Sequence, residues 1–353
     1  MFDKIFTLGE QPYTEEDEAW DAFVLDHPNG SLLQLYNWAL LKNRFGWSSH
    51  RVWLKKDGRL AAGAQVLYRS AAMGIAKIGY IPHGPLVDWR DDEQVAILLN
   101  QIDHSAYQRG VGLIKMEPLL WPHDMSPDEW QAICKKHGLS QETDSIQPPR
   151  TMMLDIRPDE ETILKRMKQK TRYNIRLSAR KDVVVREGTA DDLPIFNQMM
   201  RITGERDRFG THAPQYYRDV HELFAPSKLV LLIAEYEKRP LAAAMVSAIG
   251  KTASYLYGAS TSEERNRMPS YAIQWAGIQW AKAQGCHWYD MWGVPDADED
   301  ELEANFKENT EGLWPVYRFK RGFGGEIWRT VGPVDRVYNS RIQRLYNWWR
   351  GVR

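Results

Sequence analysis

The chain has 353 residues, roughly the length of two typical domains, and it is long enough to bury more than one core. Hydrophobic residues make up 43% and charged residues 26%, with 15 Trp and 16 Tyr, so a short peptide module and a disordered chain are both excluded. The net charge is −1, so DNA is not expected as a partner, and contact with any polyanion must come from a local patch.

Cysteine usage and hydropathy point to a cytoplasmic protein. Cys134 and Cys286 are far apart in the chain and belong to no CxxC or Cys/His cluster. Neither a disulfide framework nor a zinc site is expected, and no metal or cofactor is predicted. The first eleven residues lack the apolar core of a signal peptide, and every stretch without charged residues is too short to cross a membrane.

The predicted elements, taken in chain order, occur twice. Residues 31–47 predict an amphipathic helix that carries Lys42, and residues 51–69 predict a β-hairpin with a charged turn followed by Leu-Ala-Ala. Residues 232–251 repeat the hairpin, and each hairpin precedes a strand, a helix and a strand opened by glycine. Because the offset between matching positions stays between 175 and 181 residues, the sequence predicts a duplicated domain.

The fold class predicted from this pattern is α/β, with mixed sheets rather than a strict βαβ alternation. Each repeat resembles the acetyltransferase (GNAT) layout, so we expect two such domains in tandem. The first domain is predicted at residues 1–149 and the second at 150–333, with the boundary at a Pro pair. Residues 334–353 are predicted to form a helix that docks back on the first domain, and the acidic run 296–303 to form a surface loop.

Several chemistries have no motif here. The chain has no GxxxxGK[ST] loop, no GxGxxG that opens a helix, no HExxH and no GxSxG. Acetyltransferases hold the coenzyme A pyrophosphate with a Gly-rich loop at a helix start. The corresponding second-half loop, residues 262–269, has no glycine, so coenzyme A binding is disfavoured.

A basic segment follows the start of the second half. Between Lys165 and Lys181 the sequence carries eight cations and no acidic residue, so the i,i+4 ion pairs of an ordinary solvated helix face are missing. Contact with phosphates, of RNA or of a pyrophosphate-linked substrate, is the functional interpretation, and a solvated face is the alternative. The candidate tRNA- or phosphate-binding residues are Lys168, Lys170, Arg172 and Arg176.

Three further positions are candidates for catalysis. Lys320 lies in YRFKRGFGG after a β-prone segment, so a strand-edge lysine among glycines is predicted to approach a ligand closely; a charged hairpin is the alternative. Glu117 and Asp290 end the last strands of the two repeats, where a carboxylate can accept a proton or anchor an amine. The alternative for both is a strand-end ion pair, as between Glu117 and Lys115.

Eight segments together resemble the Fem-type (FemABX) peptidyltransferases, bacterial enzymes that add amino acids from aminoacyl-tRNA to cell-wall precursors. The resemblance covers nearly the whole chain, and it implies two acetyltransferase-like domains without the coiled-coil arm of some members. The segments are QLYNWALLKNRFGW (34–47), YIPHGPLVD (80–88), KMEP (115–118), QKTRYNIRLSARK (169–181), GTHAPQYY (210–217), YLYGAS (255–260), YDMWG (289–293) and FKRGFGG (319–325).

The resemblance also implies roles for single residues. It places Glu117 near the reacting amine and Lys320 where it steadies the transition state. Ala213 stands where the family often has an arginine that binds phosphate, so the acceptor stays open. The residues expected at the substrate are Lys42, which would contact the precursor's phosphates, Tyr80, Lys115, Tyr217 and Tyr257.

The sequence thus predicts a cytoplasmic aminoacyltransferase of peptidoglycan bridge formation, with aminoacyl-tRNA and a peptidoglycan precursor as partners. The precursor, UDP-MurNAc-pentapeptide or lipid II, and the amino acid transferred are not distinguished. Residues 346–350, rich in Trp and Arg, raise peripheral contact with the inner face of the membrane as an alternative to docking on the first domain. The competing functions are an acyl-coenzyme A N-acyltransferase and a non-catalytic RNA- or precursor-binding protein.

Overall fold

The computed structural model describes residues 13–71, 74, 76–121, 123–207 and 210–351. The N-terminal segment 1–11 and the side chains of residues 349–351, both used in the sequence analysis, lie outside this description. The chain divides into two compact units, unit 1 (Met1–Pro149 with Arg329–Arg353) and unit 2 (Arg150–Trp328).

Unit 1 is built on a six-stranded sheet. Its helices are α1 (Glu15–Asp26), α2 (Tyr36–Arg44), α3 (Asp92–Gln108), α4 (Pro127–His137) and α12 (Ser340–Gly351), and its strands are β1 (Ser48–Lys56), β2 (Arg59–Ala71), β3 (Ala76–Pro82), β4 (Leu113–Glu117), β5 (Ser140–Gln141) and β13 (Val334–Val337). The strand order is β1-β2-β3-β4-β13-β5; β3 and β4 are its parallel pair, and α3 connects them.

Unit 2 has a seven-stranded sheet. Its helices are α5 (Glu160–Arg166), α6 (Gln169–Arg180), α7 (Leu193–Asp207), α8 (Pro214–Phe224), α9 (Pro269–Ala283), α10 (Glu299–Asn305) and α11 (Trp314–Lys320). Its strands are β6 (Arg150–Asp155), β7 (Val184–Glu187), β8 (Leu229–Tyr236), β9 (Arg239–Ile249), β10 (Thr252–Ser260), β11 (Trp288–Gly293) and β12 (Glu326–Arg329). The strand order is β12-β6-β11-β10-β9-β8-β7.

The duplicated elements confirm the prediction of mixed α/β sheets. In each unit a hairpin (β1/β2, β8/β9) leads to a third antiparallel strand, then a helix, then a strand parallel to the third. Both hairpins close through two residues with positive φ, Asp57-Gly58 and Glu237-Lys238, as the twist of a two-residue hairpin requires. α6 is followed directly by β7, so the arm of the longer Fem-type proteins is absent, as expected.

The two parallel strand pairs differ in length. In unit 1, β3 and β4 stay paired from Ile78/Leu113 to Pro82/Glu117. In unit 2, β10 and β11 pair only from Thr252/Trp288 to Ser254/Asp290, although both strands continue. Each strand then shifts register against its other neighbour, and an irregularity of this kind bends a strand. The sheet of unit 2 therefore parts immediately after Asp290.

Unit 2 buries both faces of its sheet. Val230, Leu232 and Ala234 of β8 belong to the same apolar cluster as Ile273 and Ile278 of α9. Their neighbours in the strand point to the opposite face because side chains alternate, and Leu231 and Ile233 are also fully buried. The unbroken apolar run LVLLIA is the pattern expected of a strand covered on both sides.

The C-terminal segment corrects one prediction. Residues 334–337 were expected to be helical, but they form β13, between β4 and β5, and the helix begins only at Ser340. The unpaired edge of β4 explains the difference, because it offers backbone partners to Val334–Val337. α12 packs on the same sheet: Tyr346 is buried with Ile78 and Leu113, and a side chain on Gly112 would overlap Ile342.

A buried ion pair joins β13 to β4. Asp335 lies opposite Lys115 in the register, its carboxylate is 2.9 Å from the Lys115 ammonium, and both side chains are almost fully buried. Burial raises the pKa of Asp335, and Lys115 opposes this rise. The proposed contact of Lys115 with substrate would require this pair to open.

No helix of the described ranges, 13–71, 74, 76–121, 123–207 and 210–351, is both long and apolar enough to span a lipid bilayer.

We predict that Asp335→Asn lowers the free energy of unfolding by about 3–5 kcal/mol, because it leaves a buried ammonium without its counter-charge. The double variant Lys115→Met/Asp335→Leu should recover most of this loss. Urea denaturation measures both. Asp103→Asn is the matched control: it breaks the ion pair between Asp103 and Arg336, which is more exposed, and it should lower the free energy of unfolding by less. A stability of Asp335→Asn equal to that of the wild type would contradict the prediction.

Candidate active site

A bulge at the end of β11 shapes the candidate site of unit 2. Asp290 pairs with Met153 and Gly293 with Thr151, so Met291 and Trp292 together face Met152 alone. Trp292 has φ 66°, a left-handed conformation that costs a non-glycine residue about 1–2 kcal/mol. The Asp290 carboxylate stabilises this turn, since Oδ1 accepts a hydrogen bond from the Trp292 N–H at 2.7 Å and another from Thr151.

The bulge directs two carbonyl groups at one lysine. Lys320 ends α11, its side chain is buried, and its Nζ donates to the carbonyl oxygens of Trp292 at 3.1 Å and Gly293 at 2.7 Å. Two of the three hydrogen-bonding positions of Nζ are therefore used. The third position carries an N–H that can be donated when Lys320 is an ammonium, and a lone pair when it is a neutral amine.

Burial shifts the pKa values of both Lys320 and Asp290. Removal from water lowers the pKa of Lys320 to about 7, although Asp290 favours its charged form. Burial likewise raises the pKa of Asp290, while hydrogen bonds from Thr151 and the Trp292 N–H and the charge of Lys320 oppose the rise. Titratable groups whose pKa values are shifted by burial and by each other's charge are a frequent feature of active sites.

The glycines after Lys320 have a different role from the one predicted. The sequence suggested an open strand edge, but Trp314–Lys320 is a helix with Pro at its start, and Lys320 is 4% exposed. A Cβ on Gly322 would overlap Thr171, and one on Gly324, which has φ 77°, would overlap the Arg166 carbonyl. The glycines thus let this turn pack against the junction of α5 and α6.

The acidic run 296–303 is not the predicted surface loop, because Glu299–Asn305 forms α10. Asp298 caps the helix by accepting from the Glu301 N–H at 2.8 Å, and acidic residues fill its first turn. Glu303 accepts hydrogen bonds from Tyr317 at 2.8 Å and from Arg321, and it lies 3.6 Å from Lys168. These contacts, led by that of Arg321, lower the pKa of Glu303 to about 2.

Tyr217 and Tyr257, the expected cleft tyrosines, do lie together in unit 2. Their rings meet edge to face with centroids 5.2 Å apart, and the Tyr257 hydroxyl donates to that of Tyr216 at 3.4 Å. Burial raises the pKa of both Tyr217 and Tyr257. The cluster is completed by His212, which stacks on Tyr216 at 3.9 Å.

The predicted basic helix is two helices. α5 ends at Arg166, and α6 begins at Gln169 after Lys168, whose N–H donates to the Gly322 carbonyl at 2.9 Å. The flanking cations have acidic partners: Lys165 pairs with Glu161, Arg166 with Asp155 and Lys168 with Glu303. Within the part of the chain that the structure describes, no carboxylate pairs with Lys170, Arg172, Arg176 or Arg180.

Glu117 and Tyr80 come together in unit 1. Tyr80 donates to the Glu117 carboxylate, which also accepts from Ser145 Oγ at 2.9 Å and from the N–H groups of Ile146 and Gln147. Burial and the nearby carboxylate raise the pKa of Tyr80. With both oxygens occupied, Glu117 is anchored at the end of β4, and Lys320 belongs to the other unit.

Lys42 lies on α2, with its ammonium 4.5 Å from the centre of the Trp38 ring. Burial lowers the pKa of Lys42 to about 8, and the charge of Arg69 adds to this effect.

The sequence did not predict four parts of the site: the carbonyl groups of Trp292 and Gly293, the side chain of Thr151, and the side chain of Glu303. Backbone carbonyls leave no mark in a sequence, and the one local signal for the bulge was Asp290, a residue type whose side chain often accepts the N–H two residues later. Among the residues described here, no group of three His, Cys, Asp or Glu side chains can hold a metal ion.

The fold and the divided sheet of unit 2 define a protein of two acetyltransferase-like domains in tandem. A tandem GNAT protein of clavulanic acid biosynthesis has a TM-score of 0.52 at 11% identity, covering 92% of this chain and 94% of its own. The FemAB family model matches residues 15–237 and 229–347, so the chain belongs to the FemAB family.

Relatives extend over nearly the whole chain. The lipid II:glycine glycyltransferases of Staphylococcus saprophyticus and Staphylococcus aureus are each 26% identical, over 406 and 400 aligned positions, covering 93% and 92% of both chains. The crystal structure of FemX has a TM-score of 0.84 at 22% identity and covers 93% of this chain and 98% of its own.

We predict that Lys320 makes stability depend on pH. Its pKa is about 7 in the folded protein and ordinarily 10.5, so between these values the unfolded chain binds the additional proton. The free energy of unfolding of the wild type relative to Lys320→Met should therefore rise by about 1.4 kcal/mol per pH unit from pH 7 to pH 9. Denaturation at several pH values measures it, with the exposed Lys251→Met as control. A flat difference would contradict the burial of a titrating lysine.

Proposed function

We propose that this protein transfers an aminoacyl group from aminoacyl-tRNA to an amine on a peptidoglycan precursor. Membership of the FemAB family and relatives named for the transfer of glycine to lipid II support the reaction class. The observation that carries the mechanism is the Lys320 amine, which the Trp292 and Gly293 carbonyls hold with one direction free.

The reaction requires the acceptor amine to be positioned at the ester carbonyl and the negative charge that develops on the carbonyl oxygen to be stabilised. The acceptor amine attacks the ester carbonyl, a C–N bond forms, and the carbonyl oxygen becomes an oxyanion. The C–O bond to the tRNA 3′-hydroxyl then breaks, and the proton lost by the amine neutralises the leaving oxygen. In the ammonium form, Lys320 can donate its third N–H to the oxyanion, a contact that strengthens only as charge develops.

Asp290 is the candidate proton acceptor. Its Oδ1 is occupied by Thr151 and the Trp292 N–H, which leaves Oδ2 to receive the proton of the attacking amine. Burial raises the pKa of Asp290, and a less acidic carboxyl is a better base near neutral pH. Glu117, held by four donor groups, is better suited to fixing the end of β4, and we assign it a positioning role.

The loop before α9 argues against an acyl-coenzyme A donor. A pyrophosphate needs free backbone N–H groups at this helix start. Here the N–H groups of Arg267 and Met268 are bonded to the Glu264 and Arg265 carbonyls, and Pro269 has none. The Arg267 guanidinium is also engaged, since it lies 3.3 Å from the centre of the Tyr236 ring.

The acceptor, the tRNA and the location are parts of this proposal. Lys42 is the proposed phosphate contact of the precursor, and Tyr80, Tyr217 and Tyr257 are the proposed substrate tyrosines. Because Ala213 replaces a frequent arginine, both UDP-linked and lipid-linked precursors belong in the test. A reaction that uses charged tRNA is expected in the cytoplasm, and a lipid-linked acceptor would bring the protein to the inner face of the membrane.

The decisive experiment mixes the protein with a tRNA pool charged with labelled amino acids and with each precursor, and detects the extended peptide by mass spectrometry. We predict transfer, and a kcat that is about 10²–10³-fold lower for Lys320→Met, because one oxyanion donor is lost. Lys251→Met is the surface control. Acylation from acetyl-coenzyme A instead of charged tRNA would support the competing enzyme, and binding without any transfer the non-catalytic protein.

The pH profile distinguishes the two forms of Lys320. If the ammonium stabilises the oxyanion, the ratio of wild-type to Lys320→Met kcat should fall as pH rises above about 7, where Lys320 loses its charge. The ratio removes the titration of groups common to both proteins. A ratio that rises with pH would instead assign Lys320 the role of a neutral general base.

A further inference from the structure

One face of α6 forms a basic groove that the proposed chemistry does not use. The side chains on this face line an open surface recess of about 450 Å³. We call it the α6 groove; its residues are Gln169, Arg172, Tyr173, Arg176 and Arg180. The opposite face of the helix is buried, through Thr171, Asn174, Ile175 and Ser178, so the groove stands on a fixed element.

The arginines of the α6 groove are evenly spaced. Arg172, Arg176 and Arg180 follow each other at four-residue intervals, so each step along the helix is about 6 Å and the whole row about 12 Å. The step is comparable to the separation of neighbouring phosphates along a nucleic acid strand. A pyrophosphate has two phosphates joined by one oxygen and is too short to engage the row.

The charges of this row are not neutralised by the protein. Arg176 and Arg180 are exposed, and the described carboxylates form no ion pair with either of them or with Arg172. Arg172 donates to the Lys165 and Met167 carbonyls at the end of α5, which fixes its position without compensating its charge. A row of uncompensated guanidinium groups favours phosphate ligands.

An exposed aromatic side chain, Tyr173, lies beside the row of arginines. Tyr173 is 53% exposed, and the Arg180 guanidinium lies 5.5 Å from the centre of its ring. An exposed aromatic ring between cations is the arrangement on which unpaired bases stack in single-stranded nucleic acid sites. A base-paired strand keeps its base faces covered, so this feature favours an unpaired segment.

The groove is also connected to the turn that follows Lys320. The Lys168 N–H donates to the Gly322 carbonyl, and Thr171 packs directly on Gly322. A strand held on α6 would therefore lie on the element that contacts the turn directly after the candidate catalytic lysine.

We propose that the α6 groove binds consecutive phosphates of the unpaired 3′ end of an RNA, with one base stacked on Tyr173. This rests on the proposed function, in which the donor is a charged tRNA. Arg172, Arg176 and Arg180 contact the phosphates, and the buried face of α6 keeps their spacing.

The test measures binding of a fluorescent single-stranded RNA ending in CCA, and of deacylated tRNA, as a function of salt. Arg176→Gln/Arg180→Gln changes two exposed side chains and should reduce the slope of log K against log salt by about 1.4, since each single-strand phosphate contributes about 0.7. Tyr173→Ala should weaken binding about 5- to 150-fold, and Tyr173→Phe, which still stacks, should bind as the wild type does. Lys238→Gln/Arg239→Gln, at the exposed β8/β9 turn, is the charge-matched control.

An unchanged slope, or equal losses in Tyr173→Ala and Tyr173→Phe, would overturn the proposal. Weaker binding of the UDP-linked precursor with normal RNA binding would assign the groove to the acceptor and also overturn it. Transfer from charged tRNA is measured in parallel. If the wild type transfers normally while the groove variants keep its KM for tRNA, only the groove proposal fails. If the wild type transfers nothing yet binds the RNA through α6, only the proposed function fails.

Discussion

The arrangement of the candidate site depends on one strained turn in β11. Trp292 occupies a conformation that suits glycine, and the Asp290 carboxylate stabilises it by accepting the Trp292 N–H. The turn rotates two successive carbonyl groups toward Lys320, and these compensate in part for the removal of its amine from water. Strain of this kind persists only where the surroundings enforce it, and here β6, through Thr151, does so.

The two units share the order of their elements but differ where their parallel strands end. In unit 1 the parallel strands remain paired to their ends, and the carboxylate at the end of β4 is saturated with donors. In unit 2 the parallel strands separate after Ser254/Asp290, and the hydrogen bonds that the described residues make to the Asp290 carboxylate both go to Oδ1. The difference arises from register shifts on the two diverging strands, because the hydrogen bonds of a ladder cannot continue past a bend.

The turn at Gly322 joins the basic helix α6 to the candidate catalytic lysine, Lys320. Three elements meet there: the end of α11 with Lys320, the start of α6, and α10, whose Glu303 binds Arg321 and approaches Lys168. The absence of side chains on Gly322 and Gly324 lets the backbones approach closely, so a substitution at either glycine disturbs the lysine and the basic helix together. The glycines of the FKRGFGG segment are therefore explained by this packing and not by an open strand edge.

The sequence by itself determined the repeated order of elements, both hairpins and the family, because these follow from local periodicity, two-residue turns and short motifs. It did not determine where charges are buried. The lysine among glycines was predicted at an open strand edge and is buried at a helix end; the acidic run was predicted as a loop and is a helix; residues 334–337 were predicted as helix and form a strand. For Lys320 the deciding partner is a bulge carbonyl, and for residues 334–337 it is the edge of β4; both are distant in the chain, and only the tertiary structure brings them into contact. The acidic run differs, because the Asp298 cap is a local helix signal and only the contact of Glu303 with Arg321 depends on the tertiary structure.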